Sequence, residues 1–154
     1  MSAGASKSID HLIEPIDAAF EPVTAHDIHQ IEQLIGAPLP SSYASFLKRI
    51  GSCMFSGHAT VRAPNGEALP IGTFFGGKSR SLLADLQSHD YVAQQLVPIA
   101  DTFFNDRYVL ELATGKVHYI EYWTWAEPKR IIEVADSFDH FLTKISVEPY
   151  DDAL

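Results

Sequence analysis

The first change in the spacing of apolar residues along this chain, at residue 51, constrains its fold more than any other feature. Before residue 51 the apolar positions recur at helical intervals, and after it they gather into short runs rich in β-branched and aromatic residues. From Thr24 onward, Ile28, Ile31, Leu34 and Ile35 fall at i, i+3, i+6 and i+7, which stripes one face of a helix. Thr24 is suited to the N-cap and Gly36 to a left-handed stop. Pro38-Leu39-Pro40 cannot continue that helix and forces an extended link. Ser41 or Ser42 then reads as the cap of a second helix, with Tyr43, Phe46, Leu47 and Ile50 on its apolar face and Gly51 at its end. A connection of about five residues makes the two helices a packed pair.

Beyond Gly51 the chain reads as strands. Segments 58–63 and 67–75 flank the turn signal Pro64-Asn65-Gly66. Helical character returns over 79–96, with Leu82, Leu83, Leu86, Val92 and Leu96. Segments 97–100, 108–112, 117–123 and 130–134 then read as strands, with Thr114-Gly115 closing a hairpin. Asp136 or Ser137 caps a last helix on which Phe138, Phe141, Leu142 and Ile145 repeat at i, i+3, i+4 and i+7. Helices first, mostly antiparallel strands around an inserted helix, and a helix last give an α+β fold, a central mainly antiparallel sheet with helices packed against it. The expected organisation is an extension over 1–23 with a short helix around Ile9, Leu12, Ile13 and Ile16, a single domain over 24–146, and a loose acidic tail over 147–154.

The apolar fraction of 46%, with 9 Phe, 6 Tyr and 2 Trp, supplies one sizeable core. The net charge of −9 is spread over both halves of the chain. Nonspecific nucleic-acid binding and anionic membrane surfaces are therefore disfavoured, because both depend on Lys and Arg to meet phosphates. A basic partner is the natural complement, and a modest negative charge is also an ordinary solubility device, which is the reading to start from. The single cysteine, Cys53, excludes an intrachain disulfide and a Cys-based zinc site, in keeping with a reducing compartment. No apolar run is long enough to cross a bilayer and the first fifteen residues contain no apolar signal core, so a cytoplasmic location is expected.

Several motifs bear on chemistry. Gly72-Thr73-Phe74-Phe75-Gly76-Gly77-Lys78-Ser79 satisfies the phosphate-loop pattern G-x-x-x-x-G-K-S. Such a loop needs a buried parallel strand before it and inward-turned backbone N–H groups. Pro70 upstream and two bulky phenylalanines inside the loop oppose both requirements, so a strand running into a Gly-Gly-Lys loop is the preferred reading. His26 and His29 stand on the solvent side of the first helix with Glu32 a turn further on, short of a guaranteed third ligand. Glu111 and His118 face each other across the Thr114-Gly115 hairpin in one register, and Arg107 faces Glu121 in another. Cys53 follows a helix C-terminus, an environment that disfavours a thiolate. No catalytic set, cofactor site or metal site is expected. Tyr119 reads as a core plug, whereas Trp123 and Trp125, together with Glu121 and Glu127, are the candidate partner-binding residues, because Trp is enriched at binding hot spots and the acids complement a basic partner.

The order of these elements, with specific residues, resembles the SUKH superfamily, which includes fungal cell-wall regulators and many bacterial toxin-immunity proteins. The resemblance runs over about 24–145. It is carried by IEQLIGAPLPSSYASFLKRIG, by Val97-Pro98-Ile99-Ala100, by Asn105-Asp106 before a strand, by Thr114-Gly115-Lys116-Val117 and by Ser137-Phe138 through Phe141-Leu142. Ile50-Gly51-Ser52 stands where the family usually has Asn-Gly-Gly. The resemblance implies a binding protein without cofactor or catalytic residues. Its bacterial members suggest an immunity protein that neutralises a toxin domain, often a nucleic-acid-targeting one, and its fungal members suggest a regulatory scaffold as the alternative.

Overall fold

Thr24 opens the first helix, α1 (Ala25–Ile35), by accepting the Asp27 N–H on its Oγ1 at 3.1 Å. The helix stops at Gly36, whose φ of 77° costs a residue without Cβ little. After the extended Pro38-Leu39-Pro40 link comes α2 (Ser41–Arg49). Neither Ser41 nor Ser42 caps it. Pro40 holds the N-cap position without a side-chain bond, and its carbonyl accepts the Ala44 N–H. The computed structural model describes residues 13–15, 21–77, 80–88, 90–124 and 127–149.

Strands β1 (Ile13–Pro15), β2 (Cys53–Phe55), β3 (Gly57–Arg62), β4 (Ala68–Pro70) and β5 (Thr73–Phe74) precede two short helices, α3 (Leu82–Ser88) and α4 (Tyr91–Gln94). Strands β6 (Leu96–Asp101), β7 (Arg107–Glu111), β8 (Val117–Thr124) and β9 (Glu127–Ala135) follow, then α5 (Phe138–Thr143) and β10 (Ile145–Pro149). Seven strands form one sheet in the order β1-β2-β5-β6-β7-β8-β9 with every neighbouring pair antiparallel, and β10-β3-β4 form a second antiparallel sheet. The fold is α+β. No helix among the described residues is long and apolar enough to cross a membrane.

Successive strand residues point to opposite faces, and β7 shows what each face of the large sheet carries. Tyr108 packs against Phe141 of α5 with ring centroids 5.2 Å apart, and Arg107 turns the other way to Asp85 of α3. Around Tyr108, Phe46 of α2 meets Phe74 at 4.8 Å and Phe138 at 5.3 Å. The residues expected to share a core, Phe46, Leu47, Phe138, Phe141 and Leu142, are all buried in it, and so is Tyr119. At the last helix Ser137 is the cap, its Oγ accepting the His140 N–H.

Four further expectations change. Residues 13–15 form a strand paired with Cys53–Phe55 rather than part of a short helix; Ile9, Leu12 and Ile16 lie outside the described residues. Segment 67–75 is not one strand but two in different sheets. The break falls at Ile71-Gly72, where a Cβ on Gly72 would approach Asp101 Oδ1 to 2.9 Å. The last helix ends at Thr143, and Ile145 begins a strand instead of a further helical turn. That strand runs through Pro149 along β3, pairing Ile145 with Val61 and Glu148 with His58, so the 147–154 tail is not loose at its start. Its residues 150–154 lie outside the described residues.

Candidate partner-binding surface

The turn between β6 and β7 carries two adjacent phenylalanines outward. Thr102 nucleates it: its Oγ1 accepts the N–H groups of Phe104 and Asp106 at 3.0 and 3.2 Å, which satisfies the turn locally. Asn105 sits in the left-handed region with φ 66°, a conformation Asn tolerates better than most residues. The turn is then tied down from below. Asp106, buried, accepts the Tyr119 hydroxyl at 2.7 Å and the Tyr122 N–H at 3.0 Å. Arg107 holds the carbonyls of Asn105 and Asp106 with one guanidinium nitrogen and Asp85 with the other two. Asp101, at the other end, accepts both the N–H and the hydroxyl of Thr73.

This bracing leaves Phe103 and Phe104 76% and 74% exposed. Trp123, at the end of β8, is 64% exposed. Phe104 and Trp123 line one shallow cleft of about 290 Å³ with Asn105, Tyr122 and Thr124. Lys129 Nζ lies 4.7 Å above the Trp123 ring centroid, within reach of a cation–π contact. Large apolar side chains held out on a braced turn bury little surface within the chain, and a preorganised exposed aromatic group is what a protein interface uses as an anchor.

The acids of this region are not equivalent. Glu121 accepts from Arg130 and lies 3.4 Å from Lys129, and Arg130 also takes both oxygens of Glu67 at 3.0 and 2.6 Å. The hydrogen bonds from Arg130 hold the Glu121 and Glu67 carboxyls below the usual carboxylate range, and the two carboxylates push Arg130 up. Glu127 is exposed on β9 opposite Thr124. Of the four candidate binding residues, Glu121 and Trp123 are thus linked through Lys129, Glu127 stands on the adjoining strand, and Trp125 lies outside the described residues. Phe103 and Phe104 were not singled out by sequence. The available signal was two adjacent apolar residues between the turn formers Asp101-Thr102 and Asn105-Asp106, where strand alternation cannot bury both.

The other motifs resolve locally. In the 72–77 part of the phosphate-loop match, Thr73-Phe74 is an antiparallel strand between β2 and β6, and both phenylalanines are buried. The N–H groups of Gly72, Phe75, Gly76 and Gly77 donate to Asp101, Ile99, Arg80 and Glu21 carbonyls, so they do not converge on an anion. Lys78 and Ser79 lie outside the described residues. His26 and His29 are exposed on α1, while Glu32 accepts the Leu39 N–H at 2.8 Å and so braces the interhelix link. The β7–β8 hairpin takes neither register weighed from sequence. Val109 faces His118 and Arg107 faces Ile120, so Glu111 reaches His118 diagonally at 3.4 Å. Cys53 is fully buried in β2.

The order of helices, the split sheet and the braced 102–106 turn belong to residues that one family describes. The SMI1 / KNR4 family (SUKH-1) matches residues 22–144. The chain belongs to this family. The SUKH-1 match begins just before the Thr24 cap and ends one residue before β10, so it takes in both exposed phenylalanines, Trp123 and the Arg130 cluster. None of the curated proteins matches the chain.

Proposed function

We propose that this SUKH-1 domain is an immunity protein that acts by binding, not by catalysis, and that it neutralises a toxin domain in the cytoplasm by covering or distorting its working surface. The observation that carries the reading is the pair Phe103 and Phe104, more than 70% exposed on a turn fixed by Asp106 and Arg107, with Phe104 beside exposed Trp123. Preorganised aromatic anchors of this kind bind without the cost of ordering a loop. The net charge of −9 supports a basic target, such as an enzyme that itself acts on nucleic acid, because opposite charge speeds encounter.

The test is protection from a toxin in living cells. The chain is co-expressed with candidate toxin domains, and survival is scored with the wild type and with Phe103→Ser/Phe104→Ser. Protection by the wild type and its loss in the double variant, with unchanged circular dichroism, is the expected result. Full protection by the folded double variant would remove the aromatic turn from the interface.

A further inference from the structure

Asp106 fixes one aromatic wall against another. Its backbone belongs to the 102–106 turn that carries Phe104, and its carboxylate accepts the Tyr119 hydroxyl and the Tyr122 N–H of β8 at 2.7 and 3.0 Å. The cleft of about 290 Å³ between turn and strand is therefore preformed, with Phe104, Tyr122 and Trp123 along it and the side-chain oxygens of Asn105 and Thr124 as acceptors. The Tyr122 hydroxyl bonds to that of Tyr91 at 2.9 Å, which commits its polar end and steadies the ring. A cleft at the lower limit of small-molecule pockets suits one side chain rather than a larger ligand or a stretch of main chain.

The charge around the cleft selects the kind of side chain. An aromatic face carries negative charge and attracts a cation within about 6 Å of the ring centroid. Trp123 already does so within the chain, where Lys129 Nζ lies 4.7 Å from its centroid and Glu121 holds the same ammonium at 3.4 Å. Lys129 does not line the cleft, so a partner's cation entering there does not meet the seat that Lys129 fills. Glu127 pairs with Thr124 on the β8–β9 ladder and makes no ion pair among the described residues, which leaves its negative charge beside the mouth. We propose that this cleft is a guanidinium seat, which takes one arginine side chain of the partner. Arginine fits better than lysine, because its planar, weakly hydrated head stacks on rings while its N–H groups reach the side-chain oxygens of Asn105 and Thr124. The proposal rests on the toxin-binding reading for who the partner is, and on the cleft alone for the chemistry. It agrees with the basic target that the net charge of −9 favours.

Three short peptides test the seat without a toxin: acetyl-Gly-Arg-Gly-amide, and the same peptide with citrulline or leucine in place of arginine. Citrulline keeps the shape of arginine and loses its charge. Each is titrated to about 50 mM at low, constant ionic strength, the range in which single-side-chain contacts are read, while the Trp123 indole and the backbone amides of Asn105 and Thr124 are followed by NMR. The arginine peptide is expected to give saturable shifts, and the other two to bind at least about threefold more weakly, the effect of losing an exposed cation–π contact. Phe104→Ala and Trp123→Leu, each folded by circular dichroism, are expected to weaken the arginine peptide by a similar factor. Equal binding of the citrulline or leucine peptide, no saturation in that range, or arginine binding indifferent to both substitutions overturns the proposal. Protection from a toxin without arginine binding strikes this seat and leaves the immunity reading standing, and arginine binding by a chain that protects from no toxin does the reverse.

Discussion

Arg107 and Asp85 share two hydrogen bonds of 3.0 Å with both side chains 10% exposed or less, and the same guanidinium holds the backbone beneath the exposed phenylalanines. The pair therefore joins α3 to the 102–106 turn. Removing one member leaves a buried, unpaired charge, a change that costs about 3–5 kcal/mol. Asp85→Ala is predicted to lower stability by that amount in urea unfolding. Replacing both partners, Asp85→Leu with Arg107→Met, is predicted to cost distinctly less, since no uncompensated charge remains. A loss below about 1 kcal/mol for Asp85→Ala would mean that water reaches the pair.

Phe141 is fully buried and touches the rings of Tyr108, Phe74 and Phe138 from α5. Truncation removes a large apolar surface and leaves a cavity lined by other rings that cannot collapse easily. Phe141→Ala is predicted to cost about 3–5 kcal/mol. A cost under about 1 kcal/mol, the size of an ordinary surface change, would show that α5 is not docked on the sheet in solution.

What could be read in advance was set by local rules. Thr24 and Gly36 bound α1 because capping is decided by a few neighbouring atoms, and Phe46, Phe138 and Phe141 declare their burial by spacing alone. Ile145 fits the helical spacing equally well, yet it lies on β10, because a five-residue ladder along β3 outweighs one more turn of helix. Glu121 reads in the sequence as an acid open to a basic partner, because its pairing with Arg130 depends on a β8–β9 register that residue spacing does not fix. The exposure of Phe103 and Phe104 was equally hidden. It depends on Asp106 reaching Tyr119, a contact between strands whose register the sequence left open.

Tyr43 is fully buried, and its hydroxyl has no hydrogen-bond partner among the described residues. An unsatisfied buried polar group costs about 1–3 kcal/mol, and the ring itself packs edge-on to Phe138 at 4.9 Å. Tyr43→Phe keeps the ring and removes the hydroxyl. The variant is predicted to match or exceed the wild type in thermal stability. A fall of more than about 1 kcal/mol would reveal a partner for the hydroxyl in solution.

Burial pushes the phenols of Tyr43, Tyr91, Tyr108, Tyr119 and Tyr122 above their usual value. A folded value above the unfolded one, near 10, means that their contribution to stability is intact below about pH 10 and is lost as pH rises beyond it. The unfolded chain releases these protons and the folded chain does not. Phenolate absorbance from these tyrosines is therefore predicted to rise together with loss of circular dichroism in an alkaline titration. Their ionisation near pH 10 with the fold intact would contradict the burial.

Encounter and anchoring are separable in the proposed toxin complex. Glu127 is exposed and makes no ion pair among the described residues, so its charge reaches an approaching partner unneutralised. Glu121 is already held by Arg130 and Lys129, and removing its charge takes the acid partner from Lys129 while Arg130 keeps Glu67. Long-range charge governs association, whereas a desolvated aromatic group governs dissociation. Stopped-flow mixing with the toxin is thus predicted to show slower association for Glu127→Lys at low salt and a shallower dependence on salt, with little change in off-rate. Trp123→Ala and Phe104→Ala are predicted to leave association nearly unchanged and to raise the off-rate by about 30-fold, the effect of losing roughly 2 kcal/mol at a hot spot. Association indifferent to salt would remove the electrostatic half of this reading, and unchanged dissociation in both aromatic variants would remove the other.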